Sequence, residues 1–151
     1  MLTHDSLKRD VARRIERIQA MMKEKDVSAL IVVGQAQPGG IGAIRYITHA
    51  HIWGGAAYAV LGVDDPHPWL QVWSSYQSMW SRNETTTLPE RVESPDNIVA
   101  RTTDLAKGYA GGNKRILFSS VAVSGDTVVV GAPYEDSNAT GIDGDGSNNS
   151  A

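Results

Sequence analysis

The chain contains no cysteine, and phenylalanine occurs only once among its 151 residues. Without cysteine, disulfides, thiolate nucleophiles and cysteine-ligated zinc sites are excluded. The opening segment MLTHDSLKRD also lacks the apolar core of a secretory signal. These features fit a reducing compartment, and we expect a cytoplasmic location.

Long apolar runs and basic stripes are missing as well. No apolar run approaches the length of a membrane span, and the net charge is −3. We therefore expect neither a membrane nor a nucleic acid as a partner. The hydrophobic content of 41% and the charged content of 21% are ordinary for a globular chain, which at 151 residues is long enough for a sizeable core.

Arg115 is the last Lys or Arg of the chain, and the amino-acid composition changes after it. From Ile116 to Ala151 there is no Lys or Arg, while Gly, Ser, Asn and Asp crowd the last stretch. We expect an α/β domain over residues 1–118. Residues 119–151 are predicted to form a short β-hairpin followed by a disordered polar tail.

The first part carries regular hydrophobic patterns. A face of apolar residues at helical spacing predicts an opening helix, for which Asp5 or Ser6 is a suitable cap: Leu7, Val11, Ile15, Ile18 and Met22. Ala29–Val33 reads as a buried strand. Further strands are predicted at 56–62, 69–73 and 116–118, helices at 74–82 and 97–109, and a connection at 85–96. This order predicts an α/β fold with a mixed sheet flanked by helices.

The hairpin of the second part is expected at Ser120–Ser124 and Thr127–Val130. Gly125 and Asp126 between these runs suit a tight turn that requires positive φ.

His49, His51 and Trp53 are the candidate residues of a substrate pocket. Two histidines at i and i+2 would lie on one side of an extended strand, so a shared metal is one interpretation. No third ligand is near them in sequence. The alternatives are a pocket wall of hydrogen-bonding and aromatic groups, or an ordinary surface loop.

Oxygen-bearing side chains alternate with other residues near the C-terminus. Asp143, Asp145, Ser147 and Asn149 resemble the opening of a calcium loop. No later carboxylate follows to close the coordination shell. We expect weak Ca²⁺ binding at most.

Residues from about 13 to 116 resemble the N-terminal domain of the creatinase/prolidase/aminopeptidase P family. The resemblance is carried by RRIERIQAMMKEKDVSALIVVG, by Ile44–Thr48 and by Asn113–Ile116, with His49 where that family usually has Gly. It implies a mixed sheet flanked by helices, a homo-oligomer formed through this domain, and a substrate pocket partly lined by His49, His51 and Trp53. Catalysis in that family belongs to a separate C-terminal domain that holds a divalent metal, so no cofactor is expected in this chain.

Residues from about 119 to 151 resemble one FG-GAP repeat, the blade of integrin-α-type propellers. The matching segments are Ser120–Asp126, Val130–Asp136 and Gly141–Asp145. The resemblance implies a binding or adhesion element that packs against neighbouring blades.

The functional expectation is a non-catalytic N-terminal domain of a metal-dependent hydrolase, supporting oligomerisation and the substrate pocket. The chain alone is expected to be inactive. One alternative is a propeller-type binding or adhesion fragment. Another is a composite or truncated chain with no function of its own.

Overall fold

A computed structural model describes residues 4–36, 42–111, 115–124 and 127–131. The helices are α1 His4–Glu24, α2 Gly42–Thr48, α3 Ser75–Glu84 and α4 Ile98–Ala110, with a short 3₁₀ turn at Pro89–Arg91. The strands are β1 Val27–Gln35, β2 Ala56–Gly62, β3 Trp69–Val72, β4 Val92–Glu93, β5 Arg115–Ser124 and β6 Thr127–Gly131.

The strands form a mixed sheet in the order β4-β3-β2-β1-β5-β6. β1 lies at its centre, antiparallel to β2 and parallel to β5. β3 is antiparallel to β2 and parallel to β4. The predicted α/β class with a mixed sheet flanked by helices is therefore confirmed.

Helices cover the two faces of the sheet. α1 and α2 pack on one face, where Val11, Ile15, Ile18 and Met22 of the predicted stripe are buried together with Leu30 and Val32 of β1, while Leu7 is half-buried. α4 packs on the other face against Ala29 and Ile31. Because neighbouring residues of β1 point to opposite faces, a strand buried on both must be apolar throughout. This accounts for the run of Ala29–Val33.

Local signals fix the ends of two helices. Ser74 caps α3 by accepting a hydrogen bond from the Gln77 backbone N–H at 3.1 Å. Asn97 caps the start of α4 in the same way, and Gly111, with φ +36°, caps its end after Ala110. The predicted cap of α1 at Asp5 or Ser6 is wrong, because the helix already includes His4.

The expectation of a plain connection at 85–96 is also wrong. Val92 is fully buried and pairs with Leu70, so β4 extends the sheet by one short strand. The Val92 carbonyl accepts hydrogen bonds from the side chains of Ser78 and Arg82 on α3. Burial and these side-chain donors, rather than a local pattern, hold the strand in place.

The predicted hairpin is confirmed, since β5 and β6 pair antiparallel from Ser120↔Gly131 to Ser124↔Thr127. β5 is continuous from Arg115 to Ser124 and therefore runs through the predicted boundary at 118/119. The division into two domains stays a prediction. The residues of the expected polar tail after 131 lie outside the described part of the chain.

Candidate functional site: an aromatic surface on α3 and the 49–55 loop

The loop that joins α2 to β2 contains the three predicted pocket residues. α2 ends at Thr48, and His49 adopts a left-handed backbone with φ +57°. The Thr48 hydroxyl accepts a hydrogen bond from Ala50 N–H at 3.1 Å and donates to the Ile44 carbonyl at 2.7 Å. His49 and His51 are thus not neighbours on an extended strand, and the geometry assumed for a shared metal is wrong.

Gln77 of α3 fixes the same loop from the other side. Gln77 as a whole is only 3% exposed. Its Oε1 accepts from Trp53 N–H at 3.1 Å, and its Nε2 donates to the His51 carbonyl at 3.0 Å and to Ser81 Oγ at 2.9 Å. One buried amide therefore satisfies backbone groups on both sides of Ile52, which is itself buried.

The amphipathic pattern of α3 is inverted relative to an ordinary surface helix. Its inward face is polar, with Gln77, Ser78 and Ser81 buried. Its outward face carries Tyr76, Met79 and Trp80, which are 59%, 54% and 39% exposed. Residues spaced three and four apart share one side of a helix, so these three side chains form a single outward stripe.

Trp53 extends this stripe onto the loop. Its ring centroid lies 5.1 Å from that of Trp80 in a tilted arrangement, and the rings of Tyr76 and Trp80 meet edge to face at 6.2 Å. The His51 ring lies 6.5 Å from Trp53. These separations are within the range of favourable aromatic pairs. We call His51, Trp53, Tyr76, Met79 and Trp80 the aromatic surface.

Trp73 lies beside this surface, directly after the end of β3 at Val72. Its exposed side chain packs over Gly54 and Gly55. A Cβ at Gly55 would lie 2.6 Å from Trp73 Cγ, and the backbone there has φ +65°. Only glycine suits both conditions.

The structure thus brings His51 and Trp53 together and adds three residues of α3 that the sequence analysis did not select for the site. The helical spacing of these three residues can be recognised in the sequence, but such an apolar stripe ordinarily indicates a face that is buried in the core. His49 is half-buried at the end of α2. The calcium candidates Asp143, Asp145, Ser147 and Asn149 lie outside the described residues.

A second polar cluster lies at the turn between β2 and β3. Asp65 Oδ2 accepts hydrogen bonds from the Tyr109 hydroxyl at 2.7 Å and from Arg91 Nη1 at 2.6 Å, and Oδ1 accepts from His67 N–H at 3.1 Å. Burial alone would raise the pKa of Asp65, but these donors outweigh it and hold that pKa below its ordinary value. Burial and the bond to Asp65 raise the pKa of Tyr109 to about 12.

This cluster ties separate elements together. Arg91 lies 5.3 Å from the Trp69 ring centroid, and Arg101 lies at the same distance while donating two hydrogen bonds to the Glu93 carboxylate. The hydrogen bonds within the fold that are described above are sufficient to explain the lowered pKa of Asp65. The shift is therefore no evidence of a catalytic role.

Within the described ranges, no group of three or more His, Cys, Asp or Glu side chains is arranged to hold a metal ion. In the same part of the chain, no helix is both long and apolar enough to cross a membrane.

Comparison of the chain with family models, with curated proteins and with solved structures found no match.

Proposed function

We propose that the α/β part of this chain is a non-catalytic domain that supplies one wall of the substrate pocket of a metal-dependent hydrolase of the creatinase/prolidase kind. The observation that carries the proposal is the aromatic surface. It lies on the loop directly after Ile44–Thr48, one of the three segments that carry the resemblance to that family, and on the helix packed against this loop.

Exposure of this surface to water is unfavourable, which supports a role in contact. Burying apolar area contributes about 25 cal/mol per Å². Covering the four large apolar side chains of this patch would therefore contribute favourable free energy to binding. Contiguous exposed apolar patches of this kind mark binding surfaces, and Trp and Tyr dominate the energetics of such surfaces.

The geometry also supports a preformed wall. Gln77 holds the backbone at His51 and Trp53, so the loop does not have to become ordered when a ligand or a second polypeptide arrives. A preorganised surface gains affinity because less conformational entropy is lost on binding.

In this proposal the α/β domain and a separate metal-holding domain have different roles. His51 and Trp53 would contact substrate beside a metal centre held by a separate domain, and the α/β domain would also take part in a homo-oligomer. Indole rings would shape and dry the pocket, while His51 would offer a hydrogen-bonding group at its edge.

The coding sequence that adjoins residues 116–151 tests this division. We expect an in-frame region rich in Asp, His and Glu, able to form a metal-ligand set. Further repeats of the Gly-Ala-Pro type would instead support the propeller alternative. A junction that independent sequencing of the transcript does not reproduce would show a composite chain.

An assay of the purified full chain tests the non-catalytic part independently. With Mn²⁺, Co²⁺ or Zn²⁺ added, we expect no hydrolysis of Xaa-Pro dipeptides or creatine. Metal-dependent turnover that elutes together with the chain would contradict the proposal.

A further inference from the structure

A groove separate from the aromatic surface runs between α1 and the segments before β3 and β4. Its volume is about 400 Å³, at the lower end of the range of small-molecule sites. One wall is the N-terminal half of α1, the floor includes Ile47 of α2, and the other wall is formed by residues 66–68 and 86–89.

The body of the groove is apolar and its walls are held in place. Val11, Ile15 and Ile47 contribute buried aliphatic side chains. The Thr87 hydroxyl donates to the Pro68 carbonyl at 2.6 Å, and the Thr86 hydroxyl donates to the Thr48 carbonyl at 3.2 Å. These bonds join the two strand-side segments to each other and to α2, so the groove does not depend on a ligand for its shape.

The charge of the lining has one sign. Lys8 and Arg9 of α1 line the groove and are exposed, and none of its lining residues in the described part of the chain is acidic. Neither of them takes part in the ion pairs Arg14–Asp10, Lys23–Asp64, Arg91–Asp65 and Arg101–Glu93. Both cations are therefore available to a ligand at the edge of an apolar cavity.

We propose that this groove is a binding site for a small amphipathic anion, a molecule with an apolar body and a carboxylate head. The body would lie over Val11, Ile15 and Ile47, and the head would face Lys8 and Arg9. The site goes beyond the proposed pocket wall and shares no residue with the aromatic surface, so either proposal can fail without the other.

Three ligands of equal chain length test the charge preference: octanoate, octanol and octylammonium. Calorimetric titration into the full chain should give a dissociation constant on the order of 1 mM or below for octanoate. Octylammonium should bind at least about fivefold more weakly. In spectra of the labelled protein, octanoate should shift the amide signals of residues 8–15 and 86–89.

Matched variants of α1 locate the site. Lys8→Gln combined with Arg9→Gln should weaken octanoate binding about fivefold, because two exposed charge contacts are lost. Ala12→Leu places a larger side chain in the groove and should weaken it tenfold or more. Arg13→Gln and Ala20→Leu make the same kinds of change on exposed positions of α1 that do not line the groove, and should leave binding unchanged.

The proposal is overturned if octanoate shows no saturable binding at millimolar concentration, or if octylammonium binds equally well. It is also overturned if the signals that shift belong to residues 53 and 76–80, which would place the ligand on the aromatic surface. Equal octanoate affinity of Ala12→Leu and Ala20→Leu, with both variants as thermally stable as the unmodified chain, would also overturn the proposal.

Discussion

The buried side chain of Gln77 accepts a hydrogen bond from the backbone N–H of Trp53 at 3.1 Å, across 24 residues of sequence. Its amide nitrogen donates to the His51 carbonyl, so one side chain of α3 makes two hydrogen bonds to the loop after α2. The rings of Trp53 and Trp80, one from each element, consequently lie 5.1 Å apart. The arrangement of the aromatic surface therefore depends on the hydrogen bonds of Gln77.

Gln77→Leu should destabilise the protein by about 2–3 kcal/mol. The substitution leaves the part-buried backbone N–H of Trp53, the His51 carbonyl and the buried Ser81 hydroxyl without their partner, and an unsatisfied buried polar group costs about 1–3 kcal/mol. Urea unfolding measures the loss. Asn83→Ala, which removes an exposed amide from the same helix, should change stability by less than about 0.5 kcal/mol. Equal effects of the two variants would show that Gln77 does not support the loop.

Trp53→Ala should change stability by about 1 kcal/mol or less. Trp53 is 47% exposed and its ring lies 5.1 Å from that of Trp80, and an aromatic pair contributes about 0.5–1.5 kcal/mol. His51→Ala should have a smaller effect. Leu70→Ala in the buried sheet provides the contrast, at about 2–5 kcal/mol. A loss near 3 kcal/mol for Trp53→Ala would place this ring in the core and remove it from the proposed wall.

Gly55→Ala and Gly108→Ala should act in opposite directions. At Gly55 a Cβ meets the Trp73 ring and a positive φ, so we expect a loss of about 1–2 kcal/mol. At Gly108, inside α4, a Cβ meets nothing within 4 Å, and alanine should stabilise the helix by roughly 0.5–1 kcal/mol. Thermal melts of the two variants measure both effects. A neutral Gly55→Ala would mean that Trp73 is free to move off the loop.

The contribution of Asp65 should depend on pH in a defined direction. Its pKa in the folded protein lies below the ordinary 3.8. The ionised carboxylate therefore stabilises the fold above about pH 5, and this contribution is lost as the pH falls through 3.8 and below. At pH 7, Asp65→Asn should lose about 1–3 kcal/mol, because bonds from Arg91 and Tyr109 to a charged acceptor are weakened.

Urea unfolding of both proteins at a series of pH values measures this difference. The gap between the unmodified chain and Asp65→Asn should narrow below pH 4. Asp64→Asn serves as the control, since Asp64 pairs with Lys23 in an exposed salt bridge. A gap for Asp65→Asn that stays constant from pH 7 to pH 3 would contradict the assigned pKa shift.

Much of the fold could be predicted because its signals are local. The spacing of Val11, Ile15 and Ile18 predicts α1, and Ser74 and Gly111 mark helix ends through their own chemistry. β4 and the Asp65–Tyr109 bond could not be predicted, since the groups that stabilise them are distant in sequence.

The candidate site was predictable only in part, for the same reason. His51 and Trp53 were selected from the loop after Ile44–Thr48. The stripe on α3 could not be recognised as exposed, because polar Gln77 and Ser78 are buried by partners on the 51–53 loop and on β4. A sequence pattern shows that a helix has two faces but does not show which one the fold covers.

Steady-state kinetics of the chain expressed together with its adjoining downstream coding region tests the central claim most directly. If the aromatic surface forms a wall of the substrate pocket, Trp53→Ala should raise KM about tenfold, with kcat changed less than about twofold. Val99→Ala changes an exposed apolar position on α4, which contributes no residue to the aromatic surface, and should leave both constants unchanged. A KM for Trp53→Ala equal to that of the unmodified protein would contradict the account.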